Sequence, residues 1–228
     1  MKSTGGSDAA KRAAGEAAAG AVADGDVVGL GTGSTAAHAI RALGRAVGDG
    51  LAIEGVATSF QSRELAREVG VPLVPLEDVS GVDVAIDGAD QVAGFDLVKG
   101  GGAAHAREKV VAAAADRFLV VVDPTKEAEV LDHPVPVEVL PEARTSVRAA
   151  LEALGGEPTL RAASAKDGPV VTDNGNLVLD ADFGPIDDPA GLAAELSALP
   201  GAVEHGLFVE MTDAVYVGSG DGVEVRER

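Results

Sequence analysis

The stretch DVVGLGTGSTAAHAIRALGRAV, Asp26 to Val47, decides how the rest of the chain is read. Its apolar start, Asp26–Gly31, fits a buried strand, and the apolar spacing over Ser34–Val47 fits an amphipathic helix with Ser34 or Thr35 as its cap. Between them lies a glycine-rich turn. A strand that passes through such a turn into a helix is the opening of an α/β unit, in which ligands bind beyond the carboxyl ends of the strands.

The same alternation extends outward from this stretch. An alanine-rich helix over Ala9–Ala23 precedes it. A strand at Leu51–Ala57, a helix at Phe60–Val69 and strands at Val82–Ile86 and Phe95–Val98 follow, then a helix at Ala103–Ala115 and a strand at Phe118–Val122. Repeated βα units predict a Rossmann-like parallel sheet covered by helices on both faces. The pattern changes after Leu131. Pro134, Pro136 and Pro141 punctuate a strand at Val135–Leu140, followed by a helix at Glu142–Leu154, two short strands around an Asp173-Asn174-Gly175 turn and a helix at Pro189–Leu199. The strand-like segments Leu207–Val209, Ala214–Gly218 and Val223–Val225 are expected to return to the first sheet. The fold class is therefore α/β, with residues 1–130 plus 206–228 forming a Rossmann-like catalytic domain and residues 131–205 a smaller inserted α+β domain.

Composition narrows the function. The 228 residues can bury a full core, and no apolar run reaches the roughly 18 residues of a membrane span. The polar start, Met1 to Asp8, does not resemble a secretion signal, so a cytoplasmic protein is expected. With no cysteine, disulfides and thiolate chemistry are excluded. The formal charge of −19 opposes binding to nucleic acid or to an anionic membrane. Its acids are dispersed, as at Glu64, Glu68, Glu127, Glu129, Asp187 and Asp188, and lysines number only six. That balance suits a solvated surface in high salt, where self-repulsion is screened; a halophilic source is expected. An anionic substrate would then need local positive charge, which makes Lys99, inside a glycine-rich segment, informative.

Three segments carry chemistry. Gly29–Thr35 satisfies a loose dinucleotide pattern, but the next strand ends in Val56-Ala57-Thr58-Ser59 without the acid that would hold ribose hydroxyls. A compact phosphate held by N–H groups, the Ser34 and Thr35 hydroxyls and a helix N-terminus is favoured. Asp87-Gly88-Ala89-Asp90 sets two carboxylates just after a strand, able to accept hydrogen bonds from sugar hydroxyls and relay their protons. Taken alone, the pair fits solvated or capping acids equally well. Lys99-Gly100-Gly101-Gly102 implies backbone pressed against a neighbour. Glu108, in the helix that follows, has no charged residue at helical spacing in Ala104 or Ala112 and can face the same chemistry. His38, His105, His133 and His205 are scattered, so no metal site is expected.

In order, these segments resemble ribose-5-phosphate isomerase of type A. The likeness spans nearly the whole chain: Lys11, Gly31–His38, Asp87–Asp90, Lys99–Lys109, Asp123–Lys126, Pro136–Val139, Val171–Asn176 and Gly206–Phe208. It implies aldose–ketose isomerisation of ribose 5-phosphate and ribulose 5-phosphate through an enediol, in the non-oxidative pentose phosphate pathway, without metal or organic cofactor. It further implies Glu108 as the base, Asp87 and Asp90 as acids of ring opening and hydroxyl proton handling, and Lys99 with the Gly100, Gly101 and Gly102 amides as the oxyanion stabiliser. Thr32, Gly33, Ser34 and Thr35, with Gly88, Ala89, Lys126 and Lys11, would hold the sugar phosphate. A homodimer or homotetramer is expected. Gln91 stands where the family commonly carries glutamate. A sugar-phosphate sensor and a nicotinamide-dependent dehydrogenase are the rival readings; the four catalytic candidates together disfavour the first, and the missing acid the second.

Overall fold

The computed structural model describes residues 6–164 and 167–228. The start of the polar Met1–Asp8 segment, and Ala165 and Lys166, lie outside the described residues. In chain order the elements are α1 (Asp8–Ala19), β1 (Val27–Leu30), α2 (Ser34–Gly48), β2 (Glu54–Ala57), α3 (Phe60–Glu68), β3 (Val82–Asp87), β4 (Gln91–Ala93), β5 (Asp96–Val98), α4 (His105–Ala113), β6 (Ala115–Val122), β7 (Val135–Val139), α5 (Arg144–Ala153), β8 (Glu157–Leu160), β9 (Leu177–Asp182), α6 (Pro189–Ser197), β10 (Ala202–His205), β11 (Leu207–Phe208), β12 (Ala214–Gly218) and β13 (Val223–Glu227).

The chain divides into two compact units. One comprises the described residues through Ala89, Arg107–Glu127 and Met211–Arg228. It is built on a six-stranded sheet of order β13-β12-β6-β3-β1-β2, parallel except for the antiparallel edge strand β13. Val84 and Ile86 of β3 and Leu119 and Val121 of β6 share a core with Ala14 and Ala18 of α1. Alternation turns Gly29 and Ala85 to the opposite face, where a Cβ on Gly29 would come within 2.6 Å of Val111 of α4. Both faces are therefore covered, as continuous apolar strands require.

The other unit comprises Asp90–Ala106 and Ala128–Glu210. A four-stranded antiparallel sheet of order β10-β7-β9-β8 packs Val135, Val137, Leu179 and Ala181 against Val147 and Leu151 of α5 and Leu196 of α6. A three-stranded sheet, β11-β5-β4, adds Val98 and Leu207 to that core. This corrects the single insertion expected at 131–205. The β4–β5 hairpin pairs with β11, Leu207 opposite Val98 and Phe208 opposite Leu97, so the earlier segment and the Leu207–Phe208 strand belong together and not to the parallel sheet. β12 and β13 do return to that sheet. The residues upstream of the Asp173-Asn174-Gly175 turn form only isolated bridges, Pro169 to Ala162 and Val171 to Leu177, while the strands pairing with β9 are β7 and β8.

Candidate active site

In the parallel-sheet unit, β1, β3 and β6 are adjacent, so the segments that leave their carboxyl ends start side by side. Gly31 continues the β1–β3 pairing by donating its N–H to Ile86 O at 3.0 Å. Only glycine fits there, because a Cβ would lie 2.3 Å from Asp87 Cγ. The Asp87 carboxylate, 3% exposed, accepts on Oδ1 from the Thr32 N–H at 3.0 Å and from the Gly88 N–H at 2.7 Å. The Thr32 hydroxyl meets the Thr58 hydroxyl at 2.9 Å and donates to Ser59 Oγ at 2.7 Å, while Thr58 donates to Leu30 O at 3.0 Å. Ser59 in turn caps α3 through a reciprocal pair with Ser62.

Gly33, with φ +110°, is the N-cap of α2 and makes no side-chain cap bond. Ser34 and Thr35 instead occupy the first helical turn, which corrects their expected role as cap. A helix N-terminus without a capping side chain offers backbone N–H groups and a partial positive charge to an anion.

Glu108 lies in the first turn of α4 and is 5% exposed. α4 must run back across the sheet so that β6 can enter parallel to β3, which sets its first turn toward the carboxyl ends of the strands. At the end of β6 the fully buried Asp123 accepts on Oδ1 from Thr125 N–H at 3.0 Å and Thr125 Oγ1 at 2.5 Å, forming the turn that places the buried Lys126. Lys11 is half-buried on α1. The described residues of this unit thus bring Thr32–Thr35, Asp87, Gly88, Glu108 and Lys126 to elements that end or begin at one edge of the sheet. Thr58 and Ser59 are supports that motif reading missed, since hydroxyls after a strand carry no spacing signature; Asp123 lies within the quoted Asp123–Lys126 segment, where its role as the support of Lys126 carries no local signal.

The antiparallel unit holds Asp90 and the Lys99–Gly102 turn. Lys99 donates its N–H to Gly206 O at 2.8 Å, and a Cβ on Gly206 would sit 2.1 Å from Lys99 O. The Lys99 ammonium, on a residue 2% exposed, lies 5.5 Å from the centroid of the Phe208 ring. Asp90 donates its N–H to Val98 O at 2.9 Å and accepts the Gly101 N–H on Oδ2 at 2.6 Å. The Gly101 amide is therefore committed to Asp90, which removes one of the three amides expected to meet an oxyanion. Gly102 is exposed and Ala89 half-buried.

Two further polar clusters explain sequence features. Gln91 donates to Asp132 Oδ1 at 2.5 Å and accepts on Oε1 from the N–H groups of Asp132 and His133 at 2.8 and 2.9 Å. An amide supplies both donor and acceptor; a glutamate would face Asp132 with like charge. Glu138, fully buried in β7, accepts on Oε1 from Thr172 Oγ1, Asn174 Nδ2 and Asn176 Nδ2 at 2.9, 3.0 and 2.8 Å, so the Val171–Asn176 segment is a structural staple.

Residues 54–222 match the family described as ribose 5-phosphate isomerase A (phosphoriboisomerase A). The chain belongs to the ribose 5-phosphate isomerase A family. The protein of that name from Haloarcula marismortui is 71% identical over 222 residues, 97% of each chain, and that from Halobacterium salinarum is 64% identical over 228 residues, 100% of each. The ribose 5-phosphate isomerase A structure from Methanocaldococcus jannaschii superposes with a TM-score of 0.91 at 43% identity, covering 96% of this chain and 98% of that one. A second, of a D-ribose-5-phosphate isomerase in complex with phospho-erythronic acid, gives 0.93 at 42% identity, covering 96% and 97%. Membership confirms the expected α/β class and isomerase reading and displaces the sensor and dehydrogenase alternatives. No helix among the described residues is long and apolar enough to cross a membrane.

Proposed function

We propose that this chain performs the isomerisation of its family, D-ribose 5-phosphate to D-ribulose 5-phosphate and back, with Glu108 as the base. The observation that carries the assignment is the burial of Glu108 on the first turn of α4. A buried carboxylate at the start of a helix that leaves the carboxyl ends of the strands is placed for acid–base work on a substrate bound there.

In the forward direction the Glu108 carboxylate takes the proton from C2 of the open aldose. The C–H electrons form the C1–C2 double bond, and O1 takes the negative charge of the carbonyl. Lys99, by its charge, stabilises that oxygen, and removal of such a donor typically costs about 3 kcal/mol in the barrier. O1 is then protonated, the O2 hydroxyl gives up its proton as C2 becomes the carbonyl, and Glu108 returns its proton to C1. Asp87 and Asp90 handle the hydroxyl protons and ring opening; the Asp87 contacts to Thr32 and Gly88 keep its carboxylate oriented for this. Thr32 to Thr35 bind the phosphorylated sugar with Gly88, Ala89, Gly100 and Gly102, and Lys126 and Lys11 supply positive charge in a chain of formal charge −19. Acid–base groups of the chain carry every step.

That surface charge, and relatives from Haloarcula and Halobacterium, support function in concentrated salt and a cytoplasmic location. A homodimer or homotetramer is proposed from the family resemblance and is tested by sedimentation in molar potassium chloride. The function itself is tested by NMR of purified protein with ribose 5-phosphate in the same salt, with and without chelator. Chelator-insensitive appearance of ribulose 5-phosphate is expected; folded protein that leaves the aldose unchanged would overturn the reading.

A further inference from the structure

In the antiparallel unit, Arg161 and Asp180 form a partly buried ion pair that the chemistry above does not use, with side chains 10% and 21% exposed. Arg161 follows β8 directly. Its Nε donates to Asp180 Oδ2 at 2.8 Å and its Nη2 donates to Asp180 Oδ1, a bidentate arrangement that fixes the plane of the guanidinium. The remaining edge points to the glycine turn. Nη1 donates to Gly100 O at 2.7 Å and more distantly to Gly101 O at 3.4 Å.

The Gly100 carbonyl and the Gly101 N–H are two ends of one peptide group. That N–H donates to Asp90 Oδ2 at 2.6 Å. A continuous line therefore runs from the Asp180 carboxylate through the Arg161 guanidinium and one peptide plane to the Asp90 carboxylate. A cation on the carbonyl oxygen draws electron density through the amide resonance, making the N–H a stronger donor, so the links reinforce one another. The backbone is shaped for this contact. Gly100 has φ +106°, and a Cβ on Gly101 would lie 2.5 Å from Asp90 Oδ1.

We propose that Arg161 is a positioning residue for Asp90, acting through the Gly100–Gly101 peptide. It fixes which carboxylate oxygen is occupied by protein, and so which is presented to a substrate hydroxyl, and it holds the turn that carries Lys99. The inference rests on the reading of Asp90 as a group that handles hydroxyl protons.

The test combines the amide proton resonance of Gly101 in glycine-labelled protein with steady-state kinetics for R161M, R161K, D180N and D90N. The same spectra report whether each variant is folded. R161M is expected to move the Gly101 resonance upfield and to lower kcat roughly 10- to 100-fold with KM within about twofold, as for a misplaced catalytic group. R161K, which keeps a cation within reach of Gly100 O, should recover much of both. D90N sets the scale of the shift when the acceptor loses its charge. If R161M does not fold, D180N, which frees the guanidinium from its carboxylate, carries the same readouts at smaller amplitude. A Gly101 resonance unmoved in R161M and D180N, or a rise in KM at constant kcat, would overturn the proposal. Wild-type turnover in D90N would instead remove Asp90 from the mechanism, while the Gly101 resonance would still report whether Arg161 acts on the peptide.

Discussion

The two glycine turns of this chain, Gly31–Thr35 and Lys99–Gly102, are held in different ways. The first inherits its geometry from the parallel sheet. Asp87, at the end of the neighbouring strand, binds the Thr32 N–H, and Thr58 and Ser59, after the strand on the other side, bind the Thr32 hydroxyl. The second leaves a short hairpin strand and depends on tethers distant in sequence: Gly206 and Phe208 against Lys99, and Arg161 against Gly100. A turn on a regular sheet is positioned by strand order. A turn off a hairpin needs its own supports, and these are where substitution should act most strongly.

The largest effect should come from G206A. The added Cβ would sit 2.1 Å from the Lys99 carbonyl oxygen, a backbone atom that cannot swing aside. A loss of about 3 kcal/mol in stability is expected, seen as a lowered urea midpoint. G33A sharpens the contrast. No atom lies within 4 Å of its added Cβ, so only the backbone strain of φ +110° with ψ −179° remains, about 2 kcal/mol. Equal losses in the two variants would break the distinction between tethered and sheet-borne turns.

T58V should act more gently. It removes the hydroxyl bond to Leu30 O and one contact of the Thr32 hydroxyl, a cost of about 1 kcal/mol. Because the Thr32 N–H stays bound to Asp87, KM should rise more than kcat falls. A collapse of kcat would mean that the hydroxyl cluster, and not the sheet edge, positions this turn.

The smallest effect is expected at the exposed start of α1. Hydrogen bonds from Arg12 and His38 hold the Asp8 carboxyl below the usual aspartate range. A carboxyl lowered in the folded state adds stability above its unfolded value, and that stability is lost as pH falls through the folded value. D8N should therefore lower the urea midpoint slightly at neutral pH, the gap should close in strong acid, and turnover should be unchanged. A gap that widens on acidification would contradict the assignment.

What could be read from sequence follows the same division. Asp26–Val47 announced strand, turn and helix, because periodicity and glycine placement are local signals. Even there the cap was misplaced by a residue: Ser34 and Thr35 are the residue types that cap, yet Gly33 takes the position because the turn needs its positive φ. Asp87, Glu108 and Lys99 were marked by their motifs. Arg161 was not, since an arginine after a short strand in a polar segment has no local pattern and its partners arrive only when β8 pairs with β9 and the chain folds onto the glycine turn. The Gly101 amide is another such case: the sequence offers it to an oxyanion, but its acceptor, Asp90, lies across the β4–β5 hairpin, of which periodicity marks only the Phe95–Val98 strand.

The central claim is that Glu108, buried at the start of α4, moves the proton between the two carbons. The direct test is E108Q, with proton transfer followed by NMR on ribose 5-phosphate and binding of the same sugar phosphate followed by calorimetry. The account predicts a folded variant that binds the sugar phosphate as the unaltered protein does while turnover falls by roughly 10²- to 10⁴-fold. Turnover near that of the unaltered protein would contradict it.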